Sequence, residues 1–398
     1  MIIGIVGKPN VGKSAFFRSL TLAEAESGNF PFTTIDANSG IGYVKIDDPA
    51  KQFGKESNPR EGYVQEKFRF VPVELIDVAG LVPGAHEGKG LGNKFLDDLR
   101  QADVLIHVID LSGSTNEKGE PVDLNSYEPS EDIKFLEDEL NHWYYNIIKR
   151  NWPNIDKRIR MQDMKVEIAL GNVLSGLKIS ENQILDALNQ LKLDKNNIND
   201  NLFELAKKLR EISKPMVIAA NKCDVLQESN LWNSKISKLK EEFPNYIIIP
   251  VMAEYEWNLK KASKSNIVNY IAGEDDFEIL NENELKGQQK SGLEIIRKTL
   301  NNMKSTGVQD CLNTAVFDLL KRKPIFPGGA SKLEDSKGNV LPDCFLMEED
   351  STALDFAYRL HTDFGKNFIK AIDVKTKMMV GKDHKLKFGD IIEIVSGK

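Results

Sequence analysis

Residues 7–14 read GKPNVGKS, which fits the pattern G-x-x-x-x-G-K-[ST] of a phosphate-binding loop. The apolar run MIIGIV at residues 1–6 predicts a buried strand before the loop, and Phe16, Phe17 and Leu20 predict the apolar face of a helix after it. A glycine loop between a strand and a helix directs backbone N–H groups at a phosphate, at the positive end of the helix. The stretch therefore predicts a nucleotide-binding loop rather than a chance glycine turn.

Composition limits the other possibilities. The chain has 398 residues, of which 41% are hydrophobic and 28% charged, as in an ordinary soluble protein of two or three domains. The net charge of −7 argues against a general polyanion binder, so any RNA contact must use local patches. Cys223, Cys311 and Cys344 are far apart, which indicates neither a zinc site nor a disulfide framework. No stretch predicts a signal peptide or a membrane span, and we expect a cytoplasmic protein.

Several side chains are predicted to bind Mg²⁺ and the γ-phosphate. In the phosphate loop, Lys13 is expected to reach the β- and γ-phosphates, and the Ser14 hydroxyl to bind Mg²⁺. The segment GNFPFTTIDANSG is predicted to be a loop in which Thr34, in preference to Thr33, senses the γ-phosphate through Mg²⁺. A surface turn with incidental threonines is the alternative. Asp77 ends a predicted strand and is expected to hold Mg²⁺ through a water molecule. Gly80, three residues later, lets a backbone N–H approach the γ-phosphate.

The group that completes catalysis is left open by the sequence. Leu81 occupies the position where Ras-like enzymes keep the glutamine that orients water, and leucine cannot do that work. Either hydrolysis is slow and awaits a partner, or another group stabilises the transition state. The amide oxygen of Asn10 is a candidate ligand for K⁺ along the phosphates. His86 could also reach the attacking water, but the favoured interpretation is a solvated loop histidine without a catalytic role. His107 is expected to be a core residue whose hydrogen bonds are satisfied.

The sequence NKCD at residues 221–224 follows an apolar strand and predicts recognition of guanine. The Asp224 carboxylate can accept hydrogen bonds from guanine N1–H and from its 2-amino group. Adenine lacks this donor pair and would leave a buried charge unpaired, at a cost of roughly several kcal/mol. Asn221 is expected to brace the loop and Lys222 to pack on the ring face. A last strand, residues 247–253, is expected to place the backbone N–H of Ala253 against guanine O6.

The remaining segments predict two further domains. Helical periodicity between residues 113 and 213 predicts an inserted helical domain, because one helix normally suffices between two strands of such a sheet. Its basic stretch from Lys149 to Lys165 could contact RNA, although a solvated face is favoured. After a Pro/Gly-rich linker at residues 324–329, short strands and a helix opened by the capping box Thr352–Asp355 predict a β-grasp domain with a locally basic surface.

The predicted fold is therefore α/β: a P-loop NTPase with a mixed, mainly parallel sheet, an inserted α-helical domain and a C-terminal β-grasp domain. The predicted boundaries are residues 1–112 and 214–322 for the GTPase domain, 113–213 for the helical domain and 324–398 for the β-grasp domain.

These motifs carry a family resemblance. GKPNVGKS, NFPFTTIDANSG, DVAGLVPGAHEGKGLGNKFL and NKCD, with the helical insertion, look like an Obg-related GTPase of the YchF type, and LDFAYRLHTDFG…LKFGDIIEIVSG resembles a TGS domain. The resemblance implies a translation-factor-class GTPase that binds ribosomes or RNA, with a hydrophobic residue replacing the catalytic glutamine and with Asn10 linked to K⁺. Many members end the base motif in glutamate and prefer ATP. Asp224 makes this chain similar to the branch that retains guanine specificity, with an archaeal source expected.

The site can be stated residue by residue. The predicted catalytic residues are Lys13, Thr34, Gly80 and Asn10, and the predicted Mg²⁺ ligands are Ser14, Thr34 and, through water, Asp77. The predicted nucleotide-binding residues are Gly7, Lys8, Pro9, Asn10, Val11, Gly12, Lys13, Ser14, Ala15, Asn221, Lys222, Asp224, Met252 and Ala253. The expected ligands are GTP and GDP with Mg²⁺ and K⁺, and the expected partner of this monomer is the ribosome or RNA, bound through the TGS and helical domains. An ATPase of the same family and a nucleotide-gated ribosome-binding module with negligible turnover are the alternatives.

Overall fold

The structure is a computed structural model that describes residues 1–21, 38–78, 98–229, 231–282 and 285–397. The described residues group into two compact units. One unit contains residues 1–21, 38–40 and the described part of 74–311, and the other contains residues 41–73 and 312–397. Within the described ranges, no helix is long and apolar enough to cross a membrane.

The first sheet has seven strands in the part of the chain that the structure describes. They are β1 (Ile2–Val6), β2 (Ser39–Asp47), β3 (Tyr63–Gln65), β4 (Phe68–Asp77), β5 (Val104–Asp110), β6 (Met216–Asn221) and β7 (Ile247–Pro250). The spatial order is β2–β4–β1–β5–β6–β7, and β3 pairs with β4. The neighbours from β4 through β7 are parallel, whereas β3 is antiparallel to β4. The predicted mixed, mainly parallel sheet is confirmed.

The central strands are continuous apolar runs because both of their faces are covered. All seven residues of β5 and all six of β6 are buried. Helix α1 (Lys13–Thr21) follows the loop after β1 and buries Phe16 and Leu20. The carboxyl ends of β1, β4, β5 and β6 lie at one edge of the sheet, where ligands bind in this class of fold.

Four helices lie between β5 and β6, as the helical periodicity predicts. They are α2 (Ser130–Met161), α3 (Val166–Leu174), α4 (Glu181–Leu191) and α5 (Leu202–Ser213). The helical spacing of apolar residues predicts the first of these helices over residues 131–149. That end is wrong, because the buried stripe of α2 continues through Trp152, Ile155 and Ile159 despite Pro153. The sequence also predicts Ser180 as the N-cap of a helix over residues 181–191. This N-cap of α4 is confirmed, since Ser180 Oγ accepts the backbone N–H of Gln183 at 3.2 Å.

The chain after β6 continues with the strand β7, several helices and a two-stranded hairpin. It forms α6 (Leu231–Glu242), α7 (Ala253–Lys264), the hairpin strands β8 (Val268–Tyr270) and β9 (Phe277–Ile279), α8 (Gly287–Met303) and α9 (Val308–Asn313). The prediction extended the strand β7 to Ala253. It is wrong there, because β7 ends at Pro250 and Ala253 begins α7.

The second sheet has the predicted β-grasp character, with one main helix packed on five strands of the described chain. Its elements are β10 (Lys323–Pro327), β11 (Phe345–Met347), α10 (Ala353–Leu360), α11 (Thr362–Lys366), β12 (Phe368–Asp373), β13 (Met378–Val380) and β14 (Ile391–Ser396). The order is β11–β10–β14–β12–β13. The capping box at Thr352 and Asp355 is confirmed. The linker predicted at 324–329 is wrong, because Ile325 and Phe326 are fully buried in β10, an interior strand.

The second compact unit joins β4 to the C-terminal segment through a buried guanidinium. Arg69 is 1% exposed, and it donates to the carbonyl oxygens of Leu341 and, at 3.1 Å, Pro342. Its guanidinium also lies 5.1 Å from the ring centroid of Phe326. Burial lowers the pKa of Arg69, because it disfavours the charged form. The contacts with the two carbonyl oxygens and the ring partly offset the cost of burying this charge. The first part of β4 and the β-grasp sheet therefore belong to one packed body.

Candidate nucleotide-binding site

The phosphate loop spans Gly7 to Gly12, between β1 and α1. Gly12 has a φ of +92°, and a Cβ there would lie 2.2 Å from Asn221 Nδ2, so only glycine fits. Asn10 has a φ of +63°, a left-handed conformation that asparagine tolerates better than most residues. The Phe16 N–H donates to Gly12 O at 2.9 Å and closes the first helical turn. The exposed Ser14 stands in that turn, so its hydroxyl is available to a ligand.

The end of β4 brings an acidic side chain to this loop. Asp77 is the last residue of β4, and its carboxylate pairs with the ammonium group of Lys13. Both side chains are partly buried, with exposed fractions of 23% and 13%. Hydroxyl and carboxylate oxygens are the ligands that Mg²⁺ prefers, with phosphate oxygens and water completing its octahedron. Ser14 and Asp77 therefore fit a magnesium ion bound together with a nucleotide.

A buried amide joins the phosphate loop to the predicted base loop. Asn221, at the end of β6, is 3% exposed. Its Nδ2 donates to Val11 O at 2.9 Å, and its Oδ1 accepts the backbone N–H of Ala253 at 3.1 Å. Three chain segments that are distant in sequence thus meet at one side chain. The predicted bracing role of Asn221 agrees with this geometry, whereas the Ala253 N–H assigned to guanine O6 donates to Asn221 here.

Asp224 lies near this junction without a cation of its own. Its pKa is raised by burial in the first place and by the negative charge of Glu254, while Lys222 acts in the opposite direction. Lys222 instead donates to Asp110 at 2.9 Å. Among the described residues, no side chain forms an ion pair with Asp224. A half-buried carboxylate of this kind suits a neutral ligand that offers two N–H donors.

The remaining residues of the predicted site fall into two groups. Met252 is fully buried and donates its backbone N–H to Thr306 O at 2.8 Å. It therefore stabilises the chain segment directly before Ala253. Thr34 and Gly80 lie outside the described residues, as do Thr33, Leu81 and His86. Their predicted roles stay predictions.

Sequence reasoning missed a hairpin that covers the phosphate loop. We call residues 114–122 the phosphate-loop hairpin: Thr115 bridges to Pro121, and the Val122 N–H donates to Ser114 O at 2.9 Å. Its tip lies against the loop, where the Asn10 amide donates to Gly119 O at 2.8 Å. The sequence gives only a weak signal for this hairpin, which is the glycine in the polar run NEKGE at residues 116–120.

Lys8, at a variable position of the motif and predicted to bind the nucleotide, forms the second missed feature, a buried ion pair with α2. It is 4% exposed, pairs with Asp132 at 2.8 Å and donates to Thr115 O at 3.0 Å, and its ammonium lies 3.8 Å from the ring centroid of Tyr127. Burial raises the pKa of Asp132 to about 6 although Lys8 opposes the shift. The start of α2 is therefore fixed to the phosphate loop by a buried ion pair.

His107 is only partly as predicted. Its ring is buried in β5, and burial together with the charge of Lys8 lowers its pKa to about 3, so the ring is neutral. Its Nδ1 has no hydrogen-bond partner among the described residues, however, so the expectation of a satisfied core histidine is wrong at that atom.

Comparisons with known proteins find relatives among GTP-binding proteins. Residues 2–146 match the family model of the 50S ribosome-binding GTPase, residues 219–328 that of the Obg-like GTPase YGR210-like, G4 motif-containing domain, and residues 337–396 that of the TGS domain. An uncharacterized GTP-binding protein of Methanocaldococcus jannaschii is 48% identical over 99% of both chains. A ribosome-binding ATPase YchF of Haemophilus ducreyi is 28% identical over 92% of this chain and 86% of its own. The crystal structure of a GTP binding protein from Pyrococcus horikoshii OT3 is 38% identical, covers 100% of both chains and superposes with a TM-score of 0.79.

Proposed function

The chain belongs to the YchF-type family of Obg-like GTPases, and we propose that it is a Mg²⁺-dependent GTPase switch that acts on ribosomes in its GTP-bound state. The observation that carries the proposal is the amide of Asn221, which ties the phosphate loop to the loop that presents Asp224. A nucleotide held by both loops would keep its phosphates at Lys13 and its base at Asp224.

Guanine is the base that this pocket favours. The ionised Asp224 carboxylate accepts hydrogen bonds from N1–H and the 2-amino group, and adenine cannot supply this pair. The YchF relative named as an ATPase supports an ATPase as the second candidate. The two functions differ at Asp224, whose carboxylate would face no donor pair if adenine were bound.

Lys13 and Asp77 form the phosphate end of the proposed site, where the ammonium of Lys13 pairs with the Asp77 carboxylate. Lys13 would offset the negative charge of the β- and γ-phosphates, and Asp77 would hold Mg²⁺ through a water molecule. Ser14 and Asp77 would hold the Mg²⁺, whose positive charge would offset the negative charge that develops on the phosphates.

Hydrolysis is proposed to be slow without help, since Leu81 offers no group that orients water. The amide oxygen of Asn10 is proposed to be a ligand for a K⁺ ion that lies beside the phosphates. Thr34 and Gly80 are proposed to contact Mg²⁺ and the γ-phosphate.

The proposed partner is the ribosome, and two basic regions support the proposal. Lys157, Arg158 and Arg160 are exposed near the end of α2, and Lys377 and Lys385 are exposed in loops of the β-grasp domain. The H. ducreyi relative is named a ribosome-binding ATPase, and the matched GTPase family is described as ribosome-binding. We propose a cytoplasmic monomer that uses these helical and TGS surfaces.

The test is sedimentation with ribosomes in the presence of a non-hydrolysable GTP analogue, GDP or no nucleotide, together with GTP and ATP hydrolysis rates. Lys13→Ala, which removes the charge at the β- and γ-phosphates, is the matched variant. If the chain pellets with ribosomes only in the presence of the analogue, and the Lys13→Ala variant does not pellet, the result supports the switch. Equal pelleting in all three nucleotide states would contradict it, and faster hydrolysis of ATP than of GTP would favour the ATPase.

A further inference from the structure

The phosphate-loop hairpin supports its own conformation. The Asn116 N–H donates to Glu120 O at 3.0 Å, and the Gly119 N–H donates to Asn116 O at 2.9 Å. The Asn116 side chain closes the turn, because its Oδ1 accepts the backbone N–H groups of Lys118 at 3.0 Å and Glu120 at 2.9 Å. The tip therefore keeps one conformation and can hold a neighbouring side chain in place.

Gly119 brings this tip unusually close to the phosphate loop. It is buried, has a φ of +79°, and a Cβ there would lie 2.6 Å from Pro9 O and 2.8 Å from Pro9 Cβ. Any side chain at this position would force the hairpin away from the loop. The close approach is what allows Gly119 O to accept the Asn10 Nδ2 hydrogen at 2.8 Å.

This hydrogen bond fixes which end of the Asn10 amide faces the hairpin. A backbone carbonyl oxygen only accepts, so the NH₂ group must point at Gly119 and the Oδ1 must point elsewhere. Asn10 is exposed, and among the described residues its Oδ1 has no hydrogen-bond partner. The amide oxygen is therefore oriented and available at the rim of the phosphate loop.

We infer that Gly119 is a positioning residue, which orients the Asn10 amide so that its oxygen serves as a ligand for a monovalent cation beside the phosphates. Neutral amide and carbonyl oxygens are ligands that suit K⁺. The inference rests on the proposed GTPase function and adds the hairpin to the proposed cation site. It predicts that the hairpin changes the response to K⁺ and leaves nucleotide binding itself in place.

The experiment measures the formation of the GDP–aluminium fluoride complex, a mimic of the transferring γ-phosphate, by fluorescence of labelled GDP. It uses the full chain with Mg²⁺ and is titrated with KCl at constant ionic strength set by NaCl. Gly119→Ala is the test variant. Gly338→Ala is its matched control, because Gly338 has a similar φ of +84° and open space around a Cβ. Asn116→Ala loosens the tip without adding a clash, and serves if Gly119→Ala folds poorly.

We expect Gly119→Ala and Asn116→Ala to raise the half-saturating K⁺ concentration by about fivefold, the effect of one lost hydrogen bond. Affinity for GDP should stay within about twofold in NaCl, and Gly338→Ala should match the wild type. In an Asn10→Ala background, Gly119→Ala should add no further change, because both act through one amide. Additive effects, or an unchanged K⁺ midpoint in both hairpin variants, would overturn the inference.

Failure of the proposed function has a different signature. A wild-type chain that binds GDP and hydrolyses GTP equally well in K⁺ and Na⁺ contradicts this inference alone. A wild-type chain that does not bind labelled GDP contradicts the proposed function, and the inference with it.

Discussion

Truncation of the Asn221 side chain should weaken GDP binding strongly, although this side chain is not expected to contact the phosphates. In Asn221→Ala, the Val11 carbonyl and the Ala253 N–H both lose their partner, and both residues are fully buried. An unpaired buried group costs about 1–3 kcal/mol, so the two together cost about 2–6 kcal/mol whenever the loops adopt the binding conformation. At 1.4 kcal/mol for each factor of ten, the affinity for GDP should fall by about thirtyfold at least and by about 10⁴-fold at most.

The assay is equilibrium titration of fluorescent GDP, with circular dichroism to show that the fold is kept. Asn221→Asp separates the two bonds, because it keeps the acceptor for Ala253 and sets a carboxylate oxygen against the Val11 carbonyl. It should bind GDP at least as weakly as Asn221→Ala. Asn201→Ala is the control, since that exposed amide makes one bond, to Asn197 O at 2.8 Å, far from the loops in sequence. An affinity of Asn221→Ala within about threefold of the wild type would refute the reasoning.

Three further predictions concern charges in and beside the site. Asp224→Glu should lower the ratio of GDP to ADP affinity by about tenfold or more, because the longer side chain misplaces the paired acceptors; an unchanged ratio in competition titrations would contradict this. Burial and Glu254 raise the pKa of Asp224 in the free protein, and only the ionised form accepts both guanine donors. Affinity for GDP should therefore be full above that raised pKa and decline as the pH falls through it, and an affinity that stays unchanged down to the lowest pH at which the protein remains folded would count against the assignment. Lys8→Met leaves the carboxylate of Asp132 buried without its cation and should destabilise the protein by about 3–5 kcal/mol, seen as a lower melting temperature. The double variant Lys8→Met/Asp132→Leu should recover much of that loss, and equal melting temperatures of the two variants would argue against a buried pair.

The parts of the site that sequence predicts best are those whose signal is local. The phosphate loop and NKCD are short motifs that directly follow strands, so their position at the carboxyl edge of the sheet follows from the strand order. The structure adds the link between them, because the Asn221 amide reaches Val11 across 210 positions of the chain.

Contacts between distant segments could not be predicted. Lys8 occupies a variable position of the motif, and its partner Asp132 is 124 positions later on the buried side of α2. A charged residue directly before Ile133 on an apolar helix face was the available signal, and it identifies no partner. The Asn10–Gly119 bond likewise joins two loops that are 109 positions apart in the sequence.

The wrong linker at 324–329 has a physical cause in β10. Prolines usually interrupt strands because they lack an N–H donor. Toward the β14 side, the donors are Phe326 in β10, which donates to Asp390 O at 2.9 Å, and Gly328 directly after β10, which donates to Ile392 O at 3.2 Å. Neither Pro324 nor Pro327 is at a position whose N–H is one of these donors. The strand therefore forms in spite of its Pro/Gly composition, because it buries Ile325 and Phe326.

The central claim is a guanine nucleotide site built by the phosphate loop, Asn221 and Asp224. The measurement that tests it most directly is the affinity of the wild-type chain for GDP and for ADP, determined with Mg²⁺ by competition against the same fluorescent nucleotide. The account predicts that GDP binds about a hundredfold more tightly or better, because ADP leaves the Asp224 carboxylate without a donor pair. Equal affinities, or a preference for ADP, would contradict it.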